Sequence, residues 1–402
     1  MAGDPARVRW ARVGLVLVVA LAVLELASRV VIAQWVGHPF ESFDAYTFSG
    51  YGTYRENPRY THREFVHNQA GFRNLREFSV EKPPHTVRVM AIGASVLYSG
   101  SALTHRGWSR RIPTDETITE YLEHALANAP ALNGADLEVI NASVNRHNVR
   151  QTLAYYAAEL ARYDPDVVLV FGTHNDSSFL ELPDGRERMF YRPSRPTPEE
   201  ERVELLLNEN SITALAEKIV RAAANRSALA AIAFRVVDMT LVRAGGAVQL
   251  AAPTAPVARA LASEPEIEAA TRTYLAFLGS LLTFIEQQGA HPIVFWEYLL
   301  LDLEGIKPFT AYERDLAAFL AEWEPLTPER RAVRARIRER VAAYLAERGI
   351  PLIDIAGPVR DYRGNLFNDY LHYDGEGNRW VANLLAERLK PILAELTSRI
   401  ER

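Results

Sequence analysis

Hydrophobic residues are distributed along this chain in two distinct ways. From Val13 to Leu24 every position is apolar or glycine, and after Glu25 the pattern resumes through Leu26, Ala27 and Val30 to Ala33. Read as one helix from Val13 to Val36, the segment reaches about 36 Å, enough to cross a hydrocarbon layer of about 30 Å with some tilt. Glu25 and Arg29 interrupt it four residues apart, a spacing that lets them pair on one helix face. Arg7, Arg9 and Arg12 precede the apolar run, so the positive-inside bias predicts a cytoplasmic N-terminus, a single-pass anchor in the cell membrane and a periplasmic or extracellular remainder. A cleaved signal peptide competes with this reading; the long tract, and no Ala-x-Ala before a polar start, favour retention.

Beyond a polar and aromatic stretch from His38 to Pro84, short apolar runs alternate with amphipathic segments. Val87–Ile92, Leu137–Ile140, Val167–Phe171, Pro292–Trp296 and Leu352–Ile355 read as strands. Helical spacing covers Asp115–Asn128, Val149–Arg162, Glu266–Gln288, Glu329–Arg348 and Glu376–Leu396, with a long loop expected after Trp296 and through the Pro325 to Pro328 region. The uninterrupted apolar character of Val167–Phe171 suits an interior parallel strand covered on both faces. Alternation of this kind predicts an α/β fold, a three-layer α/β/α sandwich on a parallel sheet, with an N-terminal transmembrane helix and a helical insertion. The expected division is 1–36 N-terminus and anchor, 37–86 wrapping segment, 87–180 and 266–402 the two parts of a catalytic domain, and 181–265 a helical insertion or cap. Within the insertion, helix-compatible segments surround Ile212–Ala224 and Ala228–Val242, and Gly245-Gly246 and Pro253 to Pro256 offer turns.

The 402 residues carry 45 Lys plus Arg against 50 Asp plus Glu, and this near balance argues against a dominant nucleic-acid-binding function. No cysteine is present, which removes disulfides, thiolate nucleophiles, iron-sulfur clusters and zinc sites built on cysteine. No compact His-x-x-x-His ligand pair announces a metal site, and Gly93-Ala94-Ser95 lacks the Lys-Ser/Thr ending of a phosphate-binding loop, so neither metal nor cofactor is expected. Arg330, Arg331, Arg334, Arg336, Arg338, Arg340 and Arg348 make the late helix basic; a solvated face is the plainer reading, contact with anionic headgroups or sugars the functional one. Trp296 and Trp380 read as packing residues, with a sugar platform as the alternative.

Chemistry is concentrated where strands end. Ser95 follows the first strand between small residues, and a serine hydroxyl needs a base to take its proton and an acceptor to orient that base. Asp369-Tyr370-Leu371-His372 supplies both groups on one loop. Acyl chemistry also needs donors aimed at the developing oxyanion, for which Asn175 and the Ser95 amide are candidates, with Asp176 as an orienting residue. His147 and His174 sit in the same strand-end loops; hydrogen bonding without catalysis is one reading of them, substrate binding the other.

In this order, Ile92-Gly93-Ala94-Ser95, Asn141-Ala142-Ser143-Val144, the Gly172 to Asp176 loop and Asp369-Tyr370-Leu371-His372 resemble the motifs of the SGNH, or GDSL, hydrolase family. Gly71-Phe72-Arg73, Lys82-Pro83-Pro84, Gly377 and Ala382 add to the resemblance, which spans about residues 68 to 395 apart from much of the insertion. It implies a Ser95 nucleophile, His372 as base and then acid, Asp369 orienting His372, and an oxyanion hole from Ser95, Asn175 and the residue at Arg146. Three positions depart from the family pattern. Ala94 replaces the usual Asp, Arg146 occupies the place of the oxyanion glycine, and two residues rather than one separate Gly172 from Asn175. Arg146 could recognise an anionic substrate, and Arg146, His147, His174 and Asp176 are the candidate substrate-binding residues. Together with the N-terminal anchor, the function this implies is a membrane-anchored serine esterase that hydrolyses an O-acyl ester, O-acetyl included, of a carbohydrate or small molecule through an acyl-enzyme. Membrane lipid and an acylated glycan or small ester are the expected partners, and nothing in the sequence names a protein partner. An O-acyltransferase using the same triad and a non-catalytic glycan- or partner-binding envelope protein are the alternatives.

Overall fold

The computed structural model describes residues 5–36, 39–42, 46–48, 54–60, 65–172, 174–178, 219–220, 222–233, 236, 264–323 and 328–400. They fall into two compact units: residues 1–46, 59–63 and 196–252 form one, and 47–58, 64–195 and 253–402 the other.

The second unit is built on five parallel strands: β1 (Thr86–Ile92), β2 (Asp136–Asn141), β3 (Val167–Phe171), β4 (His291–Phe295) and β5 (Leu352–Ile353). Their spatial order is β2-β1-β3-β4-β5. Register fixes Met90 beside Ile140 on one side and beside Val168 on the other. Every residue of β1 and β3 is buried, as expected where helices cover both faces of a sheet; β3 is an unbroken apolar run, whereas β1 also buries Thr86 and Arg88.

Two helices of this unit, α3 (Ile118–Leu126) and α9 (Gly375–Ile400), pack on each other, while α6 (Glu264–Gln287) contacts both α4 (Val149–Tyr155) and α8 (Pro328–Glu347). Right-handed crossovers explain the two groups: β1 to β2 steps in one direction across the sheet, and the later connections step in the other, so their helices lie on opposite faces. The result is the expected three-layer α/β/α sandwich. Its chain direction reverses between β1 and β3, the switch point outside whose strand ends open α/β sheets place their ligands.

All five expected strands are present, with ends shifted by one or two residues. The helix expected over Val149–Arg162 is α-helical only to Tyr155, then widens into a π turn at Tyr156–Leu160 and tightens at Ala161–Tyr163. Its start is a capping box, with Asn148 accepting from the Gln151 amide at 2.9 Å and Gln151 from the Asn148 amide at 3.0 Å. The expected long loop before Pro325 instead holds a 3-10 turn, Leu300–Leu303, and helix α7 (Ala311–Trp323). Its signal was in the sequence: Thr310 and Glu313 form a reciprocal cap, and Leu316 and Leu320, four residues apart, are buried.

The arginines of α8 whose side chains are described have acidic partners within the protein. Arg331 pairs with Glu304, Arg334 with Asp302, Arg336 with Glu264, Arg338 with Asp354 and Arg340 with Glu268, while Arg348, just past its end, meets Glu286. Trp296 is buried in the core, and Trp380 packs on the Tyr362 ring at 4.9 Å.

In the first unit, α1 (Pro5–Val36) contains a stretch, Arg12–Trp35, long and apolar enough to cross a membrane. Only 6% of its apolar window is buried, so it is not a core helix of this protein. Most of the insertion, including Gly245-Gly246 and Pro253 to Pro256, lies outside the described residues; the described parts at 222–224 and 228–233 are helical, as expected.

A Cβ built at Gly377 in α9 would stand 2.1 Å from the Leu366 carbonyl oxygen, and backbone cannot yield as a side chain does. Gly377→Ala is therefore expected to destabilise this unit by about 1–3 kcal/mol, read as a lower urea midpoint; an unchanged midpoint contradicts the packing described.

Candidate active site

Ser95 opens a four-residue helical turn, α2 (Ser95–Tyr98), directly after β1. The turn is held from several sides. Asn141, at the end of β2, donates to the Leu97 carbonyl at 3.3 Å and to Thr119 at 3.0 Å. Arg73, buried between the rings of Phe65 and Tyr98 at 4.4 Å from each, donates to the carbonyls of Tyr98 and Ile112. Gly93 has φ +152, and a Cβ there would stand 2.3 Å from the Phe171 carbonyl oxygen, so only glycine lets the ends of β1 and β3 approach this closely.

Asp369 is fully buried with its carboxylate saturated by donors. One oxygen accepts from the amides of His372 at 2.8 Å and Leu371 at 3.0 Å; the other accepts from Ser109 Oγ and the Ala102 amide, each at 2.9 Å. His372 Nδ1 lies 3.0 and 2.9 Å from the two oxygens. Burial alone raises a carboxyl, but His372 and this set of donors outweigh it and hold Asp369 below the ordinary range. The carboxylate thus fixes Nδ1 as the protonated nitrogen, leaving Nε2 as the basic one. Nε2 is buried and has no hydrogen-bond partner among the described residues.

A single point shows where Nε2 and Ser95 meet. A Cβ built on Gly100 would lie 2.9 Å from His372 Nε2, 3.1 Å from Ser95 Cβ and 3.3 Å from Asn145 Oδ1. Serine and imidazole, far apart in sequence, therefore border one small space, kept open by a glycine.

The loop after β2 is the second wall. Arg146 has φ +65, a left-handed conformation that costs a non-glycine residue about 1–2 kcal/mol. Arginine thus adopts a backbone form that ordinarily favours glycine. Neighbours enforce it: Tyr54 Oη donates to the Asn145 carbonyl at 2.8 Å, Glu56 accepts from the Asn145 amide at 3.0 Å, and the Val144 amide reaches the Gly93 carbonyl at 3.0 Å. His147 is buried against the rings of Tyr54 and Tyr155, and its Nε2 donates to the Tyr54 carbonyl at 2.8 Å. Burial lowers its pKa to about 4, so it is a neutral support of the loop.

Asn175 lies in the short helix α5 (His174–Ser178) and donates from Nδ2 to the His147 carbonyl at 2.8 Å, joining the loops after β2 and β3. Asp176 strengthens the junction by accepting from the Val149 amide at 3.1 Å, at the start of α4. His174 is tied through its amide to Glu297 at 3.1 Å and stands edge-on to Tyr370; burial, with the Arg334 and His372 charges, lowers its pKa to about 3. The structure thus brings Ser95, Asp369 and His372 to one space and links Asn175 to the Arg146 loop. It gives His147, His174 and Asp176 positions that brace these loops.

Sequence reasoning missed Asn145, whose Oδ1 faces the same space, although it adjoins Arg146 in the motif. It also missed Gly100, Ser109 and the Tyr54–Glu56 strand, whose roles come from tertiary contacts between distant segments and carry no local signal.

Burial, with the nearby Glu297 charge, raises Asp176 to about 8 despite its bond from Val149. An unfolded Asp loses its proton near 3.8, so between about 4 and 8 the folded chain binds the extra proton and stability falls as pH rises. Asp176→Asn, which retains an acceptor for Val149, is expected to flatten the decline in urea midpoint across that window; an unchanged slope contradicts this assignment.

The model of the GDSL-like lipase/acylhydrolase family matches residues 98–380. That match contains the Arg146 loop, Asn175, Asp369 and His372 and begins just after Ser95, which geometry adds. No curated protein matches the chain. Among solved structures it is similar to the acetyl xylan esterase AlAXEase, at 12% identity over 75% of this chain and 100% of that one with a TM-score of 0.37. It is similar to TesA at 12% identity over 76% and 98%, TM-score 0.38. A catalytic mutant of Axe2, an acetylxylan esterase from Geobacillus stearothermophilus, matches at 13% identity over 76% and 93%, TM-score 0.38. With the family model covering more than half of the sequence and an Asp-His pair facing a serine across one space, the chain belongs to the GDSL-like lipase/acylhydrolase family and is a serine ester hydrolase.

Proposed function

We propose that the protein is a membrane-anchored esterase that removes an O-acyl group from a carbohydrate or small molecule through an acyl-Ser95 intermediate. The observation that carries this reading is the space shared by Ser95 and the unbonded His372 Nε2 beside Gly100. Ser95 Oγ attacks the ester carbonyl carbon while His372 Nε2 takes its proton, and the ionised Asp369 stabilises the imidazolium through Nδ1. The carbonyl oxygen becomes an oxyanion, for which the amides of Ser95 and Arg146 and the Asn175 side chain are the assigned donors. Collapse breaks the bond to the alcohol oxygen, which receives the proton from His372. Water then repeats the sequence on the acyl-enzyme, releasing the acid and regenerating Ser95.

Support for a polyhydroxylated leaving group comes from Asn145 Oδ1, a hydrogen-bond acceptor for a sugar hydroxyl beside the serine. The anchor is supported by the exposed apolar stretch Arg12–Trp35 and by Arg9 and Arg12 at its start, which orient the N-terminus to the cytoplasm and the active unit to the outer side.

The full chain in detergent is expected to release acid from short-chain aryl esters and from acetylated sugars. Ser95→Ala should lower the rate by about four orders of magnitude with the fold retained by circular dichroism. Gly100→Ala, which places a methyl group in the shared space, should also abolish turnover. Full activity in Ser95→Ala would reject the nucleophile, and full activity in Gly100→Ala would reject the assigned reaction space.

A further inference from the structure

Glu25 and Arg29 are the charges that follow Arg12 in the membrane-length stretch of α1, and their pairing at 2.7 Å is only part of what they do. The Glu25 carboxylate also accepts from Ser227 Oγ at 2.7 Å and from the amides of Ala228 and Leu229, each at 3.0 Å. Those amides belong to the first turn of the helical segment 228–233, where an anion meets unsatisfied N–H groups. Arg29 donates to the Arg226 carbonyl at 2.9 Å, in the turn that joins segment 222–224 to segment 228–233, and to the Phe40 carbonyl at 3.3 Å. Ser42 adds a bond of 3.0 Å to Asn225 in the same turn. Ala224, Ala228 and Ala231 are buried with Phe40, and Ile32 packs against them. Small residues at such a contact let helices approach closely, the packing used where no hydrophobic force drives association.

The position of this contact along α1 is informative. Trp10 and Trp35 are exposed at its two ends and suit the two headgroup layers. Arg29 and Glu25 then lie about 9 and 15 Å inward of Trp35. Allowing about 5–8 Å for the headgroups places the 225–227 turn, held by these two residues, roughly 1–10 Å below the acyl boundary. Ile219, Val220 and Val236, flanking this turn, have relative exposures of 62%, 43% and 51%. Arg226 is exposed at the turn, and its long side chain can reach the headgroups from that depth.

We propose that residues 219–220, 222–233 and 236 belong to a re-entrant helical hairpin that dips into the outer leaflet, locked to the membrane-spanning helix by Glu25 and Arg29, with acyl chains covering Ile219, Val220 and Val236. This rests on the membrane-anchored reading above and extends it: the insertion supplies a second lipid contact. The bonds from the hairpin meet the lone pairs of a carboxylate whose burial would otherwise be costly.

The cysteine-free sequence makes site-directed spin labelling direct. Single cysteines replace Val16, Ile219, Val236 or the exposed Glu81 in the full chain, reconstituted in phosphatidylcholine/phosphatidylglycerol vesicles. Collisions with oxygen, which partitions into acyl chains, are compared with those of a water-soluble nickel chelate. Labels at Val16, Ile219 and Val236 are expected to favour oxygen, and the label at Glu81 the nickel chelate. Adding Glu25→Leu should remove the oxygen preference at Ile219 and Val236 but not at Val16. A nickel preference at Ile219 and Val236 beside an oxygen preference at Val16 overturns the hairpin and leaves the anchor standing. Nickel preference at Val16 as well overturns the anchor. Labels at Ile219 and Val236 shielded from both reagents replace lipid with a protein contact and also overturn the proposal.

Discussion

The site depends on one buried carboxylate that has every reason to be expensive. Asp369 is taken wholly out of water, and a carboxylate in that position survives as an anion only if donors replace its hydration shell. Ser109, the Ala102 amide and the amides of Leu371 and His372 do so, with His372 Nδ1 completing the set. Because these donors come from the hairpin after α2 and from the loop before α9, the same contacts that keep Asp369 ionised also fasten the two ends of the catalytic apparatus together. The imidazole acquires its tautomer, its orientation and its basic nitrogen from that single carboxylate.

The second constraint is backbone shape. At Gly93 it is met by a residue without a Cβ; at Arg146 it is met by force, with Tyr54 and Glu56 gripping Asn145 and His147 bracing the far side. This explains how an arginine can hold a backbone form that ordinarily favours glycine. Strain of this kind persists where surrounding contacts over-determine the conformation. The support comes from residues 54–56, ahead of the stretch that the family model matches.

Much of this was legible in the sequence because it is local. A largely apolar run marked β1 and an unbroken one β3, and the Asp369-His372 spacing marked a loop able to fold a carboxylate onto an imidazole. Helix α7 was legible in its Thr310-Glu313 cap and apolar spacing but was obscured by the prolines that follow it. The bond from Ser109 to Asp369, the glycine at position 100 and the grip of Tyr54 on the Arg146 loop join segments far apart in the chain, so no window of sequence contains them. Glu25 and Arg29 were legible as a pair, whereas the turn they hold at 225–227 was not, since it lies about 200 residues away.

The most direct test of the central claim is labelling of the full-length protein with a serine-directed phosphonate followed by mapping of the modified peptide. Stoichiometric modification at Ser95, lost in His372→Ala with the fold retained, is the predicted result. Modification at another serine, or unchanged labelling of Ser95 without the imidazole, would contradict the account.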